Sequence, residues 1–295
     1  MTKTNSSWQS PSPRVTVVVL TWNGKRLTLE CLESLAKLTY DNIDIVVVDN
    51  ASTDGTADAI SDVYGDRVTV IVNDANLGFA GGNNVGIQHA LSAGAEYILL
   101  LNNDTLVDPG MAGALADALS GSADIGIVGP KIYYASPPDQ IWYAGGRINL
   151  ARGTARHIGI RETDTGQYDT VKDVDYVTGC ALMARREVIE RIGFLDTAFE
   201  AYYEDADFCM RARQAGYRII YVPAGRVWHR ISSSTGGQLS TKKISLKLGS
   251  TWTFFRRYAS LHHWITMPFF FAADVVRILW LAATGRIRDS GSTGG

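Results

Sequence analysis

Leu99-Leu100-Leu101-Asn102-Asn103-Asp104-Thr105 runs from a continuous apolar segment straight into two amides and a carboxylate. Short apolar runs are the buried strands of parallel sheets, and open α/β sheets bind ligands just beyond the carboxyl ends of their strands. Asp104 therefore stands where a ligand is expected. A hard oxygen donor there suits Mg2+ or Mn2+ holding a diphosphate, because such ions use one or two carboxylates plus substrate phosphate oxygens. Taken alone, the same peptide also reads as an Asx turn closing a strand.

The surroundings favour the first reading. Val15 to Leu20 is a β-branched run ending in the turn Thr21-Trp22-Asn23-Gly24, and Leu27, Cys31, Leu32, Leu35 and Leu38 then recur at helical spacing. Ile43 to Val48 is a second buried strand, ending in Asp49-Asn50-Ala51-Ser52-Thr53-Asp54-Gly55. A short helix from Thr56 leads to a third strand, Val68 to Val72. Asn73 to Asn84 is a Gly-rich loop that opens a helix through Leu91, and Tyr97 to Leu101 is the fourth strand. This β-α-β-α-β-α-β series with short turns predicts a parallel sheet covered on both faces. After Pro109, at a helix start, the alternation breaks down. Strands are expected at 125–128, 141–148 and 217–222, helices at 185–192 and 205–214, and a polar excursion at 151–175.

The 295 residues carry a net charge of −2 and are 46% hydrophobic, enough for a substantial core. Charge is uneven: residues 240–295 hold eight Lys/Arg against two Asp/Glu, and the preceding part is acidic. A nucleic-acid partner is not favoured, since most of the chain is acidic and no basic stripe interleaves with aromatics in that part. A basic, aromatic tail fits an anionic membrane surface. The three cysteines, Cys31, Cys180 and Cys209, have neither pairing nor zinc spacing, which points to a reduced, cytoplasmic setting. The polar lead-in has no apolar signal segment.

Seven pieces in a fixed order carry a family resemblance. They are Val18–Asn23, Val46–Ser52, Asn76–Asn84 (Asn-Leu-Gly-Phe-Ala-Gly-Gly-Asn-Asn), Leu101–Asp104, Thr178–Arg186, Tyr203–Phe208 (Tyr-Glu-Asp-Ala-Asp-Phe) and Val227-Trp228-His229. Together they resemble a family-2, A-type (GT-A) inverting glycosyltransferase of the rhamnosyltransferase-like branch. The resemblance implies a Rossmann-like mixed α/β sheet with helices on both faces, followed by a C-terminal helical tail. The organisation it suggests is a disordered lead-in over 1–13 and a catalytic domain over 14–235. That domain divides into a nucleotide-sugar half, 14–108, and an acceptor half, 109–235. A basic helical tail occupies 236–288 and a flexible end 289–295.

The resemblance also assigns roles. Thr21, Asn23, Asp49, Asn76, Gly82, Asn83, Asn102, Asn103 and Asp104 line the donor site, and the small residues of the Gly-rich loop let backbone approach an anion at a helix N-terminus. Asp104 and His229 hold Mn2+ or Mg2+, imidazole being an acceptable Mn2+ ligand. Relatives usually carry a D-x-D where this chain has Asn102-x-Asp104, so one anionic ligand is missing. Asp205 is the base that takes the acceptor proton, and Glu204 and Asp207 raise its pKa by like charge, with Arg211 opposing them. Residue for residue, the same three acids also suit a plain helix N-terminus. Thr178 and Gly179 belong to the sugar and acceptor pocket, with Cys180 packed beside them.

The implied reaction moves a sugar, rhamnose from dTDP-rhamnose or a UDP-linked sugar, to a hydroxyl of a glycan or lipid-linked acceptor in cell-surface polysaccharide synthesis. Two alternatives stay open at this point: a sugar nucleotidyltransferase, and a non-catalytic glycan- or membrane-binding module. Trp264 to Ala283 is apolar but interrupted by Pro268, Asp274 and Arg277, which argues against a membrane span. Its basic and aromatic flanks fit a helix lying at the inner face of the cell membrane, or one packed on the catalytic domain or a second copy.

Overall fold

The computed structural model describes residues 12–199, 201–230, 241–270 and 272. Residues 1–11 of the expected lead-in, residues 236–240 and the end of the expected tail, and the flexible end lie outside the described residues. The first half forms as its periodicity predicts: β1 (Val15–Thr21), α1 (Lys25–Leu35), β2 (Ile43–Asp49), α2 (Thr56–Tyr64), β3 (Thr69–Val72), α3 (Gly78–Ser92) and β4 (Tyr97–Asn102). The four strands are parallel in the order β4-β1-β2-β3. Val17, Val19, Leu99 and Leu101 are buried, each such side chain contributing about 1.5–3 kcal/mol. Helix α3 rests directly on this sheet. A Cβ at Gly82 would collide with Leu20 Cδ1, and one at Gly86 would collide with Val18 Cγ1. Glycine at these two positions sets how closely helix and strand approach.

The second half adds β5 (Thr105–Val107), α4 (Met111–Ser120), β6 (Ile125–Tyr134), β7 (Ile141–Tyr143), β8 (Gly146–Asn149), β9 (Thr154–His157), β10 (Lys172–Asp173), β11 (Ala181–Arg185), α5 (Arg186–Ile192), α6 (Glu204–Gln214), β12 (Arg218–His229) and α7 (Thr241–Tyr258). The main sheet runs β10-β12-β6-β11-β4-β1-β2-β3, with β5 on β12 and β7 on β6. β11 is antiparallel to both β4 and β6, and β12 is parallel to β6. The sheet is therefore mixed.

Three details differ from the sequence reading. β11 was not expected: Ala181-Leu182-Met183-Ala184 is made of helix formers, and burial between β4 and β6, not propensity, makes it a strand. The polar excursion contains a hairpin, β8 with β9, and the short strand β10. The strand expected at 217–222 continues to His229 through an irregularity between Val222 and Arg226, so no loop precedes the histidine.

The basic tail begins with α7, which lies on the α/β domain with Phe254 and Phe255 buried. A second helical stretch follows over 261–270. No helix among the described residues is long and apolar enough to cross a membrane.

Candidate functional site

Register brings the carboxyl ends of the first strands level: Thr21 pairs with Asp49, and Leu20 with Asn102. The crevice outside them is lined by polar side chains bonded to one another. Asn103 Nδ2 donates to Thr21 Oγ1 at 3.1 Å and to Thr28 Oγ1 at 3.0 Å. Asn23, in a left-handed conformation (φ 49°), accepts from the Thr53 amide at 2.8 Å, and its own amide donates to Ser52 Oγ at 2.8 Å. Asp49 is buried and accepts from the Ser52 amide at 2.7 Å. Asn50 joins the Gly-rich segment by donating to Asn76 Oδ1 (3.1 Å) and the Gly78 carbonyl (3.0 Å) while accepting from Asn73 (2.8 Å). Ala51, at φ 62°, and Asn23 place two non-glycine left-handed residues at this edge, a form of strain that clusters at ligand sites.

Gly82 and Asn83 are used otherwise than expected. The space above Gly82 is filled by Leu20 and Asn50. Asn83 is buried and donates back to the Phe79 carbonyl at 2.9 Å. Gly82 lets α3 seat against the sheet, and Asn83 bonds back within its own helix.

Asp104 and His229 meet because β5 pairs antiparallel with β12, setting His229 opposite Thr105, while the Arg230 amide donates to the Asp104 carbonyl at 2.8 Å. His229 Nε2 lies 3.1 Å from Asp104 Oδ1. The contact lacks hydrogen-bond geometry: Asp104 Oδ1 and His229 Nδ1 are buried without hydrogen-bond partners. Burial opposes a charge on His229, but the adjacent Cys180 and Asp104 outweigh it and raise the imidazole to about 10. A divalent cation between them would displace the ring proton, and a carboxylate oxygen with a neutral imidazole, close and underbonded, is then a pair that Mn2+ would accept. They amount to two ligands, and no group of three or more His, Cys, Asp or Glu suited to a metal occurs among the described residues. Such a pair suits an ion completed by oxygens of a bound ligand.

The acidic cluster sits across from this pair, at the start of α6. The Asn102 amide donates to the Cys180 carbonyl at 2.9 Å, and the Gly179 amide donates to Asp205 Oδ2 at 2.8 Å, so one short loop links the two sites. A Cβ on Gly179 would stand 3.1 Å from Phe79 and 3.6 Å from Asp205. Burial raises the Asp205 carboxyl, held in check by the Gly179 and Ala206 amides and the Thr178 hydroxyl. Burial, helped by the Asp205 charge, raises Glu204 to about 8, and Glu204 Oε2 has no partner.

Asp207 does not perturb Asp205 as the sequence suggested. It is fully buried and engaged by Arg211 (2.8 Å) and Arg257 (2.6 Å), which satisfy its charge. Like charge is therefore the smaller influence, and desolvation the larger.

Sequence reasoning missed Trp142, whose ring lies 4.6 Å from both His229 and His157 in edge contacts. It also missed Arg257 and Tyr258, which reach α6 from a helix outside the seven motifs. Trp142 and His157 belong to a stretch with no motif, and only the pairing of β7 with β6 brings Trp142 to the site.

Residues 16–193 match the model of the family described as "Glycosyl transferase family 2". The N-acetylglucosaminyl-diphospho-decaprenol L-rhamnosyltransferase of Mycobacterium tuberculosis (strain CDC 1551 / Oshkosh) is 30% identical over 240 residues, covering 75% of this chain and 77% of that protein. The dTDP-rhamnosyl transferase RfbF of Shigella flexneri is 25% identical over 218 residues, 74% of this chain and 69% of its own length. The uncharacterized protein y4gI of Sinorhizobium fredii is 29% identical over 79% of this chain, which spans only 26% of that longer relative. Among solved structures, GalNAc-T7 with UDP, GalNAc and Mn2+ superposes with a TM-score of 0.61 at 18% identity, covering 75% of this chain and 44% of that one. The mannosyltransferase PcManGT from Pyrobaculum calidifontis, in complex with GDP-Man and Mn2+, gives 0.56 at 19% identity, covering 96% and 77%. At these identities the two structures establish a shared GT-A fold.

Proposed function

This chain belongs to glycosyl transferase family 2, and from that premise we propose that it carries out a metal-assisted, inverting transfer of a sugar from a nucleoside diphosphate to a hydroxyl acceptor. The observation that carries this reading is the placement of Asp104 and His229, 3.1 Å apart, beside the loop whose Gly179 amide holds Asp205. Thr21, Asn23, Asp49, Asn76, Asn102 and Asn103 form the nucleotide side within residues 14–108, and 109–235 contribute the acceptor side. Asp104 and His229 would hold the divalent cation, which when bound neutralises the diphosphate leaving group. Asp205 takes the proton of the acceptor hydroxyl as its oxygen attacks the anomeric carbon. Its raised pKa brings it nearer the working pH of a base. Thr178 and Gly179 shape the sugar pocket.

The two rhamnosyltransferase relatives favour dTDP-rhamnose as the donor, and one of them favours a polyprenyl-diphosphate glycan as the acceptor. A lipid-linked acceptor calls for a surface that meets the membrane. Leu261, Ile265 and Phe269 are exposed at 79%, 58% and 73% along one side of the 261–270 helix, and Leu248 and Trp252 are exposed on α7. Basic residues in the same tail complement an anionic leaflet.

Calorimetric titration of dTDP, UDP and GDP, each with and without Mn2+, tests the reading. Mn2+-dependent binding of a pyrimidine diphosphate is expected, and Asp104→Ala should weaken it by at least about tenfold. If a folded sample binds none of the three, the chain is a non-catalytic module with this fold.

A further inference from the structure

We propose that α7 is a positioning element for Asp205, acting through Arg257 and Tyr258. The proposal rests on the reading of Asp205 as the base. The acidic first turn of α6 suits the helix dipole, but its entry is strained: Tyr202 and Tyr203 precede it at φ 68° and 70°, and its N-cap residue Tyr203 makes no side-chain cap bond. Two successive non-glycine residues in the left-handed region persist only where their surroundings hold them.

Helix α7 supplies that hold along the segment on either side of the carboxylates. Ser250 Oγ donates to the Ala201 carbonyl at 2.6 Å. The Tyr203 ring packs against Phe254 and Phe255, with centroids 5.0 and 6.1 Å away. Tyr258 Oη donates to Asp207 Oδ1 at 2.7 Å, and Arg257 Nη1 donates to the same oxygen at 2.6 Å. Ser250, Phe254, Arg257 and Tyr258 lie at i, i+4, i+7 and i+8, one stripe of the helix. Each of these contacts goes to 201, 203 or 207, flanking Glu204 and Asp205.

Arg257 also reaches away from α6. Its Nη2 donates to Asp196 Oδ2 at 2.7 Å. The neighbouring Leu195 is clasped by Asn84 of α3, which donates to the Leu195 carbonyl at 2.8 Å and accepts from its amide at 3.0 Å. One guanidinium thus ties the base-bearing helix to a loop fastened on the nucleotide-side helix. Arg211 already neutralises Asp207 from within α6, so charge balance alone does not require Arg257. Its two-pronged bridge fixes geometry, a task for which a planar guanidinium is suited and an ammonium is not. What it fixes is the short bond from Gly179 to Asp205, and base catalysis tolerates little displacement.

Hydrogen exchange on the full chain tests this without any substrate. In Arg257→Gln, the Gly179 and Ala206 amides that donate to Asp205 should lose protection by roughly tenfold or more, while amides of β1, β2 and β4 keep theirs. Arg257→Lys should recover only part of the loss, and Tyr258→Phe should show a smaller loss at the same amides. Turnover of dTDP-rhamnose, followed as dTDP release, should fall by about tenfold to a hundredfold in kcat with KM little changed. Unaltered protection at Gly179 and Ala206 overturns the proposal, as does an even loss across the whole sheet. If Arg257→Gln fails to fold, Tyr258→Phe decides by the same amides. Asp205→Asn separates the two ideas: if it turns over normally, the assignment of the base is wrong whatever the exchange shows.

Discussion

The two walls of the crevice are held in different ways. On the nucleotide side, Asn23 is fixed by Ser52 and Thr53, Asp49 by Ser52, and Asn50 by Asn73 and Asn76, all within neighbouring βα turns. On the acceptor side, the start of α6 depends on residues from a distant helix, and His229 reaches Asp104 only through the pairing of β12 with β5. The first wall is assembled from the turns of adjacent βα units bonded to one another, and the second from a helix start braced by a helix that follows it in the chain and from two paired strand ends. Replacements in the first should therefore have contained effects, whereas those in the second should reach function through geometry.

The strongest test of that contrast is Asp205→Asn. Transfer should fall by about 10²–10⁴-fold, while calorimetric affinity for the nucleoside diphosphate stays within twofold or so, because Asp205 is bonded to Gly179 and Ala206 and to none of the polar side chains of the nucleotide wall. A matching loss of affinity would show that the walls are coupled. A smaller effect is expected from Gly86→Ala. The added Cβ has no room against Val18, and overpacking of this kind costs about 1–3 kcal/mol. Denaturant melts should show the loss, with kcat of the folded fraction preserved.

Glu204→Gln gives a signed effect, read in its pH dependence and not in activity. The Glu204 carboxyl is raised in the folded protein to about 8 from an ordinary value of 4.5. Between those pH values the folded state binds the extra proton, so the parent loses stability as pH rises through that window. Glutamine removes the penalty. The variant should gain in Tm relative to the parent on going from pH 5 to pH 8, and a constant difference would remove Glu204 from the list of strained acids.

The same contrast explains what could be read from the chain directly. The parallel order β4-β1-β2-β3 follows from apolar runs and short turns, and Asp49, Asp104 and Asp205 stand at strand or helix ends marked by motif. Hidden features were those in which a residue acts far from its place in sequence. Ala181–Ala184 lacks β-branched residues, so β11 is visible only once β4 and β6 flank it. Gly82 looks like a ligand-facing glycine because loop glycines and packing glycines are the same letter, and the contact with Leu20 decides between them. Asp207 has the spacing of a catalytic neighbour, yet its partners Arg257 and Tyr258 turn it into an anchor. The basic, aromatic composition of the tail did not show that one face of its first helix turns Phe254 and Phe255 inward while Leu248 and Trp252 stay exposed.

The pairing of β5 with β12 has a consequence for how the molecule becomes competent. It joins residues 105–107 to 227–229, a closure that chain entropy places late in folding. Until that edge zips up, Asp104 has no imidazole beside it. A cation and diphosphate bound there would then favour the closed register over the open one, and would hold the sheet's edge shut in proportion to their concentration. Substrate would in this way act as the protein's own late-stage folding clamp, and slower exchange of the β12 amides in its presence would be the mark of it.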